Sequence, residues 1–367
     1  MIGDYSVRLG AIVVVTPESE NKAAISNTPI LCASMDHSRV VTEPLAFIEI
    51  AGRSTLERTI ERYVGIGVEA IILLLEESIS EFPLFRAQFP QLSIRHVSDC
   101  ERSVRDILAD FDRQGIENAF VNFCDTYTET DLLDLYYFHR EAKQAVTNAL
   151  TSEHALNLHL VRCSEAQHWQ TGALSSDSSL HTASYLIKDY VAHLNHPDDL
   201  RSFATALLSG RCERGPSGKQ VSPGIWVEPG AEIHRRARIV APAYIGRGTK
   251  LLEDTLVTRF TSIESDCVVD CGTVIENSSV LPHTRIGIWL DVRHSIVNGN
   301  RILSLNRDAI VELSDASILR FGAKKAALTS QSTSQSSIEQ SKQPKGDCPH
   351  RLATPATLQF GTNCIQE

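Results

Sequence analysis

From residue 227 onward, every sixth position is aliphatic. Val227, Ile233, Ile239, Ile245, Leu251, Val257, Ile263, Val269, Ile275 and Leu281 fall in one register. From 233 on, the residue two places earlier is small: Ala231, Ala237, Ala243, Thr249, Thr255, Thr261, Cys267, Thr273 and Ser279. Ile, Leu and Val make up about a quarter of the chain, so ten in register arise by chance on the order of once in a million per starting point. No other feature of the chain narrows its fold as much.

Positions two apart on a strand share a face, so each hexad points one small and one large residue inward. Three hexads make one triangular turn, and residues 18 apart stack. One turn cannot bury its own apolar face, so several must pile up, and ten hexads supply about three turns. The period resembles the hexapeptide-repeat, left-handed parallel β-helix family, and the handedness is an implication of that resemblance. The register fails after Leu281, where Ile286, Ile288, Leu290 and Val292 alternate and residues 310–319 offer another strand, read together as a cap.

Ahead of the repeats, short apolar runs alternate with helical spacing. LGAIVVV (9–15), AIILLLE (70–76), AFVNFC (119–124), AVTNAL (145–150) and LNLHLV (156–161) read as buried strands. Between them, Ser54 and Glu57 form a capping-box pattern before Leu56, Ile60 and Val64, and two further helical stretches begin at Ser103 and Thr130. This alternation predicts an α/β domain with a doubly wound, mostly parallel sheet over residues 1–210. Residues 162–185 read as a polar loop or degenerate edge, and a helix runs from Asp198 to Ser209. A connector at 210–218 leads into the repeat domain (219–320), and the Ser/Gln-rich remainder, 322–367, reads as a disordered tail.

A net charge of −10 in 367 residues argues against nucleic acid as a partner. No aliphatic run approaches the ~20 residues that cross a bilayer, so no membrane insertion is expected, and no signal peptide is read at the N-terminus. Nine cysteines without a CxxC pair suggest buried reduced thiols and a cytoplasmic location, with Cys267 and Cys271 structural and not zinc ligands.

Three stretches resemble the sugar-1-phosphate nucleotidyltransferases, the nucleotide-sugar pyrophosphorylases. EPLAFIEIAGRSTLERTIER (43–62) is similar to the family's Lys-Pro-Leu and Ala-Gly segment. AFVNFCDTYTETDLLDLYYFHR (119–140) resembles the strand ending in a metal-binding aspartate, and YVAHLNHPDDLRSF (190–203) the late aspartate segment. The resemblance implies attack of a sugar phosphate oxygen on the α-phosphorus of a nucleoside triphosphate, with Mg²⁺ held by aspartates and a Gly-rich loop around the phosphates.

The departures are chemical. TPESENKAAIS (16–26) follows the first strand, without glycine and with two glutamates that would repel a triphosphate. The lysine position falls on Glu43 or Leu45. CERSVRDIL (100–108), also without glycine, stands where a base-contacting turn belongs, and the late aspartate falls on His193. Candidate substrate-binding residues are therefore Lys22 and Asp125, and candidate metal ligands are Asp125 and His193. Each has a plain alternative: a solvated lysine, a turn-capping aspartate, a hydrogen-bonded histidine.

These readings give a nucleotidyltransferase-like protein that binds a nucleotide-sugar or sugar phosphate in nucleotide-sugar or surface-polysaccharide metabolism, weakly active or inactive. Mg²⁺ enters only if it is active. One alternative is an active transferase with a loop rebuilt around Lys22 and Asp125. Others are an acyltransferase using His234, His283 or His294, and a non-catalytic oligomeric scaffold. Arg235 and Arg236 precede Glu253 and Asp254 by 18 residues and are expected to pair across turns. Leu256, Val268, Val274 and Val280 put apolar groups at outward positions, which predicts a homo-oligomer through the β-helix face.

Overall fold

The first strand, β1 (Leu9–Val15), is buried at all seven positions. That is the mark of a strand with neighbours on both edges and helices over both faces. The computed structural model describes residues 8–16, 41, 43–79, 89–170, 181–322 and 356–357. Two units emerge. The first comprises β1, Glu43–Ile48 and Ser54–Asn195, and the second Glu49–Arg53 and the chain from His196 on. The division falls between Asn195 and His196, ahead of the connector at 210–218.

In the first unit, β2 (Ala70–Glu76), β3 (Leu92–Val97), β4 (Asn118–Phe123), β6 (Val146–Leu150), β7 (Ala155–Arg162) and β8 (Thr182–Leu186) join β1 in the order β8-β6-β7-β4-β1-β2-β3. The pairs β1–β2, β1–β4, β2–β3 and β6–β8 are parallel, while β7 is antiparallel to both its neighbours. A short strand, β5 (Thr126–Thr128), follows β4 and pairs antiparallel with β9 (Val191–His193). The sheet is mostly parallel, as the alternation of runs implied.

The period-two alternation of β1 sorts its side chains between two layers. Ala11, Val13 and Val15 join Leu56, Ile60 and Tyr63 of α1 (Thr55–Gly65) and Leu132, Leu135 and Tyr136 of α3 (Leu132–Ala142). Ile12 and Val14 join Val104, Ile107, Leu108 and Phe111 of α2 (Cys100–Arg113), with Trp169. Helices thus cover both faces. The expected cap at Ser54 forms, its hydroxyl accepting from the Glu57 N–H. In the region read as a polar edge, Cys163–His168 is a 3-10 turn and β8 is the edge strand.

The second unit stacks short parallel strands into three sheets. One runs through 225–227, 243–245, 261–263, 279–280 and 295–298, a second through 232–233, 250–251, 268–269 and 284–286, and a third through 238–239, 256–258, 274–276 and 290–293. Each strand lies on the one a turn earlier, so the chain forms a three-sided parallel coil. The ladders Ile245–Ile263–Val280, Leu251–Val269–Ile286 and Val257–Ile275–Val292 fill its interior.

The sequence register slips within this coil. Partners are 18 residues apart up to Leu256↔Val274, but 17 apart from Ile263↔Val280 onward. The lost residue falls in the edge around Asn277, whose φ is +46°. Val280, not Leu281, therefore faces the interior, and the coil continues through Val297. The expectation that Val280 faces outward is thus corrected. Of the other outward positions, Leu256 and Val274 share the third sheet, while Val268 stands on the second between Lys250 and Arg285. The apolar outer patch is narrower than the sequence suggested.

The small inward residues do more than make room. Thr249 donates to the Glu264 carbonyl at 2.7 Å and Thr273 to the Gly287 carbonyl at 2.6 Å, tying each turn to the next. Ser278 takes this place in the shortened turn, accepting from the Ser295 N–H. At the edges the backbone turns through left-handed conformations. Gly272 (φ +70°) is one such point, where a Cβ would sit 2.5 Å from the Trp289 ring. Arg236 pairs with both Glu253 and Asp254, as the 18-residue spacing predicted. Antiparallel strands 301–304 and 309–312 extend the first sheet and 319–321 the second.

Cys100, Cys124, Cys163, Cys212 and Cys267 are free, whereas Cys271 is disulfide-bonded, a departure from the expectation of reduced thiols throughout. The tail beyond Gly322 lies outside the described residues apart from Ala356–Thr357, which pair parallel with Leu290–Asp291.

Candidate functional site

The chain leaves β1 for β2 and β3 on one side, then crosses to place β4 on the other. Ligands of open α/β sheets bind where strand order reverses in this way, beyond the strands' C-terminal ends. Asp125 stands there, two residues after β4 ends. The Cys124 N–H continues the ladder to the Val14 carbonyl at 2.9 Å. The β5–β9 pair then places His193 opposite Thr126, and the Leu194 N–H donates to the Asp125 carbonyl at 2.7 Å. The structure therefore brings together Asp125 and His193, two residues 68 apart in sequence. Lys22 lies outside the described residues.

Asp125 is largely buried. Its Oδ2 accepts from the Asn157 side chain on β7, while Oδ1 is buried with no hydrogen-bond partner of ordinary geometry. Burial raises its pKa above the usual carboxylate range, outweighing Asn157, Thr126 and the nearby His193, which act in the opposite sense. The His193 ring lies edge-on to His154, with centroids 6.2 Å apart. Asn157 was not singled out in the sequence. It sits at an inconspicuous place in an apolar run, and only the antiparallel return of β7 beside β4 delivers it to Asp125.

Magnesium takes about six oxygen ligands in near-octahedral array. Among the described residues, no second carboxylate bears on Asp125; a carboxamide, a hydroxyl and an imidazole do. An orphaned carboxyl oxygen with a raised pKa suits a proton, donated to an incoming oxygen, better than it suits a hard dication. The donor set does not fit a magnesium centre of the two-carboxylate kind.

The surroundings agree with the departures noted in the sequence. Leu45 is buried in a 3-10 turn and supplies no cation. At the start of α2, the Asp99 side chain accepts from the Arg102 N–H at 2.9 Å, so a carboxylate caps the helix where a base-contacting glycine turn was looked for. A second group of metal-ligating side chains, Glu165, His168 and His181, lies elsewhere in the first unit; Arg162 already holds Glu165 at 2.8 Å.

His234, His283 and His294 occupy three different edges of the coil. His283 lies 3.8 Å from Asp266, and His294 contacts the Asn277 carboxamide at 2.7 Å. The coil of one chain gathers none of them into a common site.

In the second unit, the carboxylate of Glu264 is buried and accepts from the consecutive N–H groups of Ala51 and Gly52 at 2.9 and 3.0 Å. Both residues have positive φ, so their amides converge as a small anion-binding nest. The Ser265 hydroxyl donates to Glu49 at 2.6 Å. Burial, with Glu49 adding to it, pushes Glu264 up to about 8 against the two amides.

No protein-family model matches the chain, and no curated protein matches it. A solved structure described as a glucose-1-phosphate thymidylyltransferase from Bacillus anthracis, in complex with a sucrose, is similar over 53% of this chain and 93% of its own. The identity is 8% and the TM-score 0.39.

Proposed function

We propose that the protein is a cytoplasmic, nucleotidyltransferase-like binder of a nucleotide-sugar or sugar phosphate, serving nucleotide-sugar or surface-polysaccharide metabolism with little or no pyrophosphorylase activity. The observation that carries this reading is Asp125: a buried carboxyl group with one unsatisfied oxygen, raised pKa and a neighbouring imidazole, at the switch point of a doubly wound sheet. A neutral carboxyl there donates to a sugar hydroxyl or phosphate oxygen without repelling it, and Asn157 holds it in place. No described helix is long and apolar enough to cross a membrane. Self-association, if present, uses the Leu256 and Val274 patch.

The test is a thermal-shift panel of nucleotide-sugars and sugar phosphates, with and without Mg²⁺, on the natural protein and on Asp125→Ala. A metal-independent upward shift that the variant loses is the expected result. Mg²⁺-dependent turnover of a nucleoside triphosphate and a sugar 1-phosphate at ordinary enzyme rates would instead establish the active-transferase reading. Sedimentation of the same samples addresses association: a monomer at all concentrations retires the oligomer.

A further inference from the structure

We propose that the cleft lined by Arg201, Ser202, Thr205, Arg211 and Asn277 is a second ligand site, one that holds the phosphate group of a small organic phosphate. The cleft lies wholly within the second unit, between α4 (Pro197–Leu208) and the coil, and measures about 450 Å³.

Arg201 is only 5% exposed. Its Nε donates to the Asn277 backbone carbonyl at 3.2 Å and its Nη2 to the Asn277 side-chain oxygen. Nη1 is buried with no partner. A buried guanidinium held by neutral oxygens alone is costly, because burial removes its hydration and nothing supplies the opposite charge. Burial is accordingly the one cause that moves Arg201, down to about 10, and no carboxylate opposes it.

A second arginine, Arg211, lines the same cleft, and no acidic residue does. In a chain with 45 acidic and 35 basic residues, two guanidiniums facing one cleft without a carboxylate form a local reversal of charge. They repel each other until an anion lies between them. A dianionic phosphate answers both, and the planar arginine fork matches its oxygens. Ser202 adds a hydroxyl donor. The volume is in the range of small-molecule sites and exceeds the needs of a bare ion, so the phosphate carries an organic group.

The sequence builds this site from two unrelated devices. Arg201 and Thr205 are four apart on α4 and share a face. Asn277 occupies the edge where the coil loses its residue, and its left-handed backbone turns both the carbonyl and the side chain toward Arg201.

Calorimetric titration of the full-length protein with glucose 1-phosphate, inorganic phosphate and glucose tests the proposal. Glucose 1-phosphate is expected to bind, and glucose is not. Arg211→Ala, which removes an exposed side chain, weakens binding at least tenfold and leaves the melting temperature unchanged. Arg201→Lys, which keeps the charge but loses the fork, weakens it as well. Asp125→Ala retains the binding, which separates this site from the one proposed above. Failure of glucose 1-phosphate to bind at millimolar concentration overturns the proposal. So does binding of inorganic phosphate alone, equal affinity in Arg211→Ala, or loss of binding only in Asp125→Ala.

Discussion

The two units bury polar side chains in opposite ways. In the α/β unit each buried polar group is an individual: His159 meets Asn148 at 2.8 Å, His139 meets Thr147 at 2.7 Å, and Asp125 meets Asn157. In the coil they are copies of one another, a hydroxyl bridging to the turn above at Thr249 and again at Thr273. Repetition serves a structure in which each turn must be compatible with the next. Individuality serves a place where one ligand is met once. The coil departs from its own repetition at Glu264, which reaches out to an amide nest, and at Asn277, which holds an arginine, and those are its chemically distinctive points.

The contrast is open to direct tests. Ile275 lies between Val257 and Val292 in a ladder fixed by backbone pairing, so the cavity left by Ile275→Ala cannot close. The substitution is expected to cost about 2–5 kcal/mol in urea unfolding. A loss below ~1 kcal/mol would mean that the coil relaxes as freely as a loop.

A smaller effect is expected at Glu264. Its folded pKa of about 8 exceeds that of an ordinary carboxyl, so the folded unit binds more protons than the unfolded chain in between. Stability from this group is complete below the ordinary carboxyl range and is lost as pH rises through 8. Melting temperature should fall over that window by roughly a few degrees more in the natural protein than in Glu264→Gln. Equal slopes would show that the nest holds an ionised carboxylate at no cost.

The least effect belongs to Arg236, which pairs with Glu253 and Asp254 in the open. Arg236→Ala should cost between nothing and about 1 kcal/mol by chemical denaturation. A larger loss would make the outer faces of the coil as important as its interior.

Much of this architecture was legible before any coordinates. The hexads gave the three-sided coil because every turn repeats the same demand for one small and one large inward residue. The continuous apolar runs gave the parallel sheet because strands buried on both faces need no alternation. The one-residue slip near Asn277 was hidden, since Leu281 happens to be aliphatic and masked the change of inward position to Val280. Of the site, Asp125 and His193 were readable as strand-end residues, but their meeting depends on the short β5–β9 pair. Asn157 and Arg201 carried no local signal at all: one is a polar residue in an apolar strand, the other one charge among many on a helix. What makes them matter is a partner far away in the chain.

The shortened turn has a consequence for how this half of the molecule can change. Its rungs are locked to their neighbours by main-chain bonding, but the landings between rungs hold residues whose number is not dictated by the rung above. Length can therefore be gained or shed at a landing while every step keeps its footing. Novel chemistry in such a staircase enters by way of its landings, and Asn277 stands on one that has already given up a residue.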